Sequence, residues 1–102
     1  MSKFCFALNK NNELITITCI KKNKSLSYSD SSFSKTFNLK TKSIEREINR
    51  KYDKILVFND NEIILTNSVY ESYSVFDLNS LIWTIYYSKE INIYQCNVLI
   101  NA

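Results

Sequence analysis

The sequence predicts an α+β fold: a mainly antiparallel sheet of about six or seven strands with hairpin connections, and one α-helix near residues 42–53 packed on it. Three observations carry this expectation. Short β-branched and aromatic runs of strand length recur from Lys54 onward, Asn- and Asp-rich breaks separate them, and the segment TKSIEREINRKYD carries helix signals at both ends. With 102 residues, 45% of them hydrophobic, residues 1–102 suit a single domain with one core.

The first hairpin is expected between Phe4–Leu8 and Leu14–Ile20, around a break at Asn9–Asn12. Ile15, Ile17 and Cys19 fall on one side of the second run and Thr16 and Thr18 on the other, the period of a half-buried strand. The stretch KKNKSLSYSDSSFSKTF that follows is rich in Lys and Ser and reads as a mobile polar loop, with room for a short edge strand at Leu26 and Tyr28.

The helix is expected next. Thr41 or Ser43 can cap it, Glu45 and Glu47 sit near its first turn, and Arg50 and Lys51 lie in its last, so the charges match the helix dipole at both ends. Ile44, Ile48 and Tyr52 give it a narrow apolar stripe, and Glu47 can pair with Lys51 at i, i+4. From Lys54 the chain reads as a meander. Ile55–Phe58 and Ile63–Thr66 flank a turn at Asn59–Glu62, Val69–Phe76 and Leu81–Tyr87 flank Asp77–Ser80, and Ile91–Leu99 follows Ser88–Glu90.

The stretches ALNKNNELITIT, VFNDNEIILTN and VFDLNSLIWTIYY share one order of parts, an apolar run, an Asn-containing break and a β-branched run. Their unequal spacing excludes a fixed repeat period, so they read as hairpins of similar composition. The chain has no Gly, Pro or His, and only Ala7, Ala102, Arg46 and Arg50 represent Ala and Arg. That pattern, beside abundant Asn, Lys, Ile, Tyr and Phe, is the imprint of an AT-rich gene. Without Gly, left-handed turn positions are expected to fall to Asn and Asp.

Cys5, Cys19 and Cys96 are odd in number, widely spaced and set in apolar runs, which predicts reduced, buried thiols. The apolar run Phe4–Leu8 is too short for a signal-peptide core and no stretch reaches membrane-spanning length, so a cytoplasmic protein with no membrane partner is expected.

A non-enzymatic role is expected as well. Absence of His removes the commonest general base at neutral pH and every triad that needs it. Three scattered Cys offer no zinc spacing, and a Gly-free chain has no phosphate-cradling loop, so no metal site and no cofactor is implied. Two carboxylate pairs remain, Asp60 with Glu62 and Glu45 with Glu47, and both read as solvated charge.

Charge is distributed unevenly. Residues 1–54 carry twelve Lys and Arg against five Asp and Glu, a balance of +7, whereas residues 55–102 carry one Lys against five acids, a balance of −4. A basic first half suggests nucleic-acid binding through Lys21, Lys22, Lys24, Lys42, Arg46 and Arg50, with Lys35, Lys40, Lys51 and Lys54 nearby and Tyr28, Phe33 and Phe37 as stacking platforms. No nucleic-acid-binding motif accompanies them.

An acidic, ring-rich second half suggests a protein partner instead. Glu62, Tyr70, Glu71, Tyr73, Asp77, Trp83, Tyr86 and Glu90 combine the residue types that anchor interfaces with a rim suited to a basic partner. Rings are expected on both faces of the sheet, because Tyr70 and Phe76 share one parity and Tyr73 and Val75 the other. In size and composition the chain resembles immunity proteins of mobile bacterial or phage loci. That resemblance implies stoichiometric inhibition of a cognate toxin, such as a nuclease, or of a host defence factor in an anti-defence role. An exposed edge strand could also pair two copies in a dimer.

Overall fold

The computed structural model describes residues 14–22 and 31–101. Among these residues the chain is all β, with eight strands: β1 (Leu14–Lys21), β2 (Ser32–Asn38), β3 (Ser43–Ile48), β4 (Lys54–Phe58), β5 (Glu62–Asn67), β6 (Ser72–Asp77), β7 (Ile82–Tyr86) and β8 (Ile91–Asn101). Every pairing is antiparallel. Neighbours along the sheet run β3-β2-β1-β8-β7-β6-β5-β4, so β1 pairs with β8 and the sheet curls into a barrel left open only between β3 and β4. No helix among the described residues is long and apolar enough to cross a membrane.

The expected helix is therefore corrected to a strand. Ser43–Ile48 forms β3 on the edge of β2, and Lys35 pairs in register with Glu47, the residue assigned to a helical pair with Lys51. The i, i+4 spacing of Ile44, Ile48 and Tyr52 is also a multiple of the strand period, so the pattern did not discriminate. Propensity yields here to the ladder that β2 offers. Asn49 and Tyr52, with φ of 75° and 76°, turn the chain out of β3 and across the opening.

A second correction concerns SFSKTFN. The stretch read as loop is β2, with Phe33, Lys35 and Phe37 buried and its other side chains half-buried. Lys35 in the inward row had hidden the period. The proposed strands at Phe4–Leu8 and at Leu26 and Tyr28 lie outside the described residues. The hairpins of β4 with β5 and β6 with β7 match the expectation, although Val69–Glu71 is turn rather than strand.

Inward positions hold Ile15, Ile17, Phe33, Phe37, Ile63, Leu65, Phe76, Trp83, Ile85 and Tyr94, and these side chains fill the barrel as expected for eight strands. Trp83 is their hub, with ring centroids 5.0 Å from Phe33 and 5.2 Å from Phe76. Cys19 and Cys96 are inward, directly opposed and joined by a disulfide, with Cα atoms 4.0 Å apart. They are buried as expected, but they are not free thiols.

The turns correct one more expectation. Among the described residues positive φ falls on Lys42, Asn49, Tyr52, Glu71 and Leu81, only one of them an Asn. Asn and Asp instead open the turns as side-chain acceptors. Asn38 Oδ1 accepts from the amides of Lys40 and Thr41, and Asp77 Oδ1 from those of Asn79 and Ser80, each four residues before a left-handed residue, Lys42 or Leu81. Asn67 bonds the Tyr70 amide in the same way ahead of Glu71.

Candidate protein-binding surface

Strand alternation places the side chains opposite the core on the outer wall of the barrel. Across β5 to β8 they form rows fixed by the register. One row is Thr66, Tyr73, Tyr86 and Ile91, and the next is Val57 of β4, then Ile64, Val75, Thr84 and Ile93. Tyr73 and Tyr86 stack at 4.7 Å with their planes 15° apart, and Tyr73 and Ile91 are each 49% exposed. Together with Leu56 and Val57 at the rim, these side chains make an aromatic and aliphatic stripe on the solvent side.

Carboxylates stand at both ends of the stripe. Glu62 and Asp77 are direct cross-strand partners in the row beyond Ile64 and Val75. Like charges placed directly opposite destabilise a sheet, so this pair is a local cost. At the other end Glu71 closes the β5–β6 turn and Glu90 precedes β8. Contiguity of β4 to β8 in the sheet keeps these carboxylates on one wall, while Lys21, Lys22, Lys42 and Arg46 lie on or beside β1 to β3.

Of the partner-binding residues expected from sequence, Glu62, Tyr73, Asp77 and Tyr86 share the outer wall, and Tyr70, Glu71 and Glu90 lie in the connections at one end of it. Trp83 does not join them. Its side chain is fully buried at the centre of the core and presents nothing to a partner. Residues not singled out from sequence, Val57, Ile64, Val75, Ile91 and Ile93, supply most of the stripe. Their signal was the outward parity of runs that are apolar on both faces.

The basic residues separate differently. Lys22, Lys42 and Arg46 are exposed and Lys21 is half-buried, while Lys24 and Tyr28 lie outside the described residues. Lys42 Nζ sits 4.9 Å from the Phe58 ring centroid. Phe33 and Phe37 are core, so neither is free to stack on a base.

Arg50 and Lys35 are buried in a charge network that spans the barrel opening. Lys35 Nζ lies 2.6 Å from Glu47 Oε2 and 2.8 Å from Asp53 Oδ2, and donates to the Arg50 carbonyl. The Arg50 guanidinium donates to Tyr87 Oη and Ser72 Oγ, rests against the Tyr70 and Tyr87 rings, and pairs with Asp53 at 3.7 Å. Asn67 ties Asp53 and the Lys51 carbonyl to β5. Two cations and two carboxylates thus cancel inside, and the surface asymmetry is carried by the exposed charges.

The fold and surface define a small β-barrel with a filled interior and an apolar outer wall bordered by carboxylates. Comparison of the chain with family models, with curated proteins and with solved structures finds no match in any of the three.

Proposed function

We propose that this protein is a non-enzymatic inhibitor that binds a basic protein partner through the outer wall of β5 to β8. The observation that carries the reading is the outward Tyr73–Tyr86 stack, with Tyr73 exposed and Tyr86 half-buried, within two apolar rows that have Glu62, Asp77, Glu71 and Glu90 at their ends. Aromatic anchors on a rigid sheet lose little side-chain entropy on binding, and an acidic rim steers a cationic partner toward them. A cationic toxin that acts on nucleic acid is a partner of this chemistry, because its phosphate-binding surface would be occupied by the carboxylates. An immunity protein against such a toxin is the role we assign, acting in the cytoplasm, with an anti-defence inhibitor as the second reading.

The test is capture from source-cell lysate under nuclease treatment and a salt series, run in parallel with two double variants. Tyr73→Ala with Tyr86→Ala should abolish recovery of a stoichiometric protein, and Lys42→Glu with Arg46→Glu should leave it intact. Nucleic acid recovered alone, lost steeply with salt and abolished by the second double variant, would transfer function to the basic wall.

A further inference from the structure

The inner face of β6, β7 and β8 carries polar side chains that the apolar core does not explain. Ser74, Ile85 and Asn92 are consecutive cross-strand partners in one inward row, and Trp83 is the next inward residue along β7. Ser74, Trp83 and Asn92 are each at most 1% exposed. Among the described residues, Ser74 Oγ, Trp83 Nε1 and both polar atoms of the Asn92 amide find no hydrogen-bond partner. Four such atoms on three neighbouring side chains are a concentration that native cores avoid.

These side chains cannot satisfy each other across the row. Ser74 and Asn92 are two strand spacings apart, roughly 9–10 Å at the backbone, with Ile85 between them. Their chemistry specifies what would. Trp83 Nε1 only donates, the Asn92 amide donates and accepts, and the Ser74 hydroxyl does either. A common guest must therefore accept from the indole and also donate to the amide oxygen. It is expected to be neutral, because among the described residues Lys35, Arg50, Glu47 and Asp53 compensate one another and leave no other buried charge to balance.

We infer that the barrel contains an internal site for a small neutral hydrogen-bonding guest, bound by Asn92, Ser74 and Trp83 over Ile85. Water has this chemistry, and so does a small polar solute retained from the cell. A buried water normally takes about three hydrogen bonds from groups of this kind.

Two measurements on the unmodified protein test the site. A high-resolution crystal structure should show density within hydrogen-bond distance of the Asn92 amide and of Ser74 Oγ or Trp83 Nε1. Native mass spectrometry distinguishes the sources: no retained organic mass identifies water, and a discrete added mass lost on denaturation identifies a solute. The single Trp supplies a solution readout, since its indole N–H gives one resonance. Asn92→Leu should move that resonance upfield, weaken its cross-relaxation with water or guest, and remove the density. If Asn92→Leu does not fold, Ser74→Ala is the second variant, expected to shift the same resonance and remove one of the guest's contacts. Continuous apolar packing at this place, or the amide and indole found bonded to protein atoms, would overturn the inference.

Discussion

Glu71 holds φ at 51° with its side chain exposed, in a turn already organised by Asn67. A residue with a Cβ costs about 1–2 kcal/mol in this left-handed region, and glycine does not, although glycine gives back part of the gain as unfolded-chain entropy. Glu71→Gly should therefore raise stability by about 0.5–1 kcal/mol in urea titration. A loss of stability would mean that the turn is not left-handed. Lys42→Gly should gain less, since it also removes the cation placed over Phe58. Trp83 makes the opposite case. Its side chain is fully buried at the ring cluster, so Trp83→Ala should cost about 3–5 kcal/mol. Emission from this single Trp should be blue-shifted in the native protein and move red on unfolding; a solvent-exposed spectrum in the folded state would contradict the core position.

At the scale of elements, what the sequence made legible was the set of strands whose inward rows are uniformly apolar. Ile15 and Ile17 of β1, Ile63 and Leu65 of β5 and Trp83 and Ile85 of β7 announce themselves by period alone. The misread elements are those whose inward row includes a charge or whose period is ambiguous. Lys35 occupies an inward place in β2 because Glu47 and Asp53 meet it from the β3 side of the opening, a contact that exists only after folding. Edge position explains β3, where amphipathic spacing and end charges suit a helix until β2 supplies a ladder. On the binding surface the aromatics were legible by residue type, but Trp83 could not be told from Tyr73 without knowing which parity faces inward. Both edge strands carry a bulge, at Arg46 and Ile44 opposite Thr36 and Phe37, and between Ile55 and Val57. Bulges blunt an edge against strand addition. The opening between those edges is spanned by side chains: Phe37 meets Phe58 at 5.8 Å, and Lys35 reaches Asp53. Lys35→Met should leave Glu47 without its cation and Asp53 with only the 3.7 Å contact to Arg50, at a cost of about 3–5 kcal/mol, whereas adding Asp53→Leu should recover part of the loss. Simple additivity of the two substitutions in a double-mutant cycle would show that the pair does not hold the opening.

For the whole molecule, closure rests on β1 meeting β8, and that contact brings together residues 77 apart in sequence through the Cys19–Cys96 disulfide. Each hairpin of the barrel closes a short loop, but this pairing closes nearly the whole described chain, so its entropic cost is the largest of any strand pair. A cross-link removes that cost from the unfolded state, and for a loop of this length the chain-entropy model gives about 4.5 kcal/mol, with measured effects usually nearer about 2–4. The disulfide also bears on where the protein works. Structural disulfides persist in oxidising compartments and are rare in reducing cytosol, so the bond and the cytoplasmic reading of the sequence oppose each other. Alkylation of the denatured but unreduced protein, purified from its source cell under acid quench, decides between them. One modified cysteine of the three, with two more after reduction, is expected if the bond forms in the cell. Three modified at once would return the protein to a reducing compartment and require β1 and β8 to be held by their ladder and by the packing of Ile15, Ile17 and Tyr94 alone. In that case adding reductant should leave the urea midpoint of the native protein unchanged, and otherwise reduction should lower it by the equivalent of the few kcal/mol that the cross-link supplies.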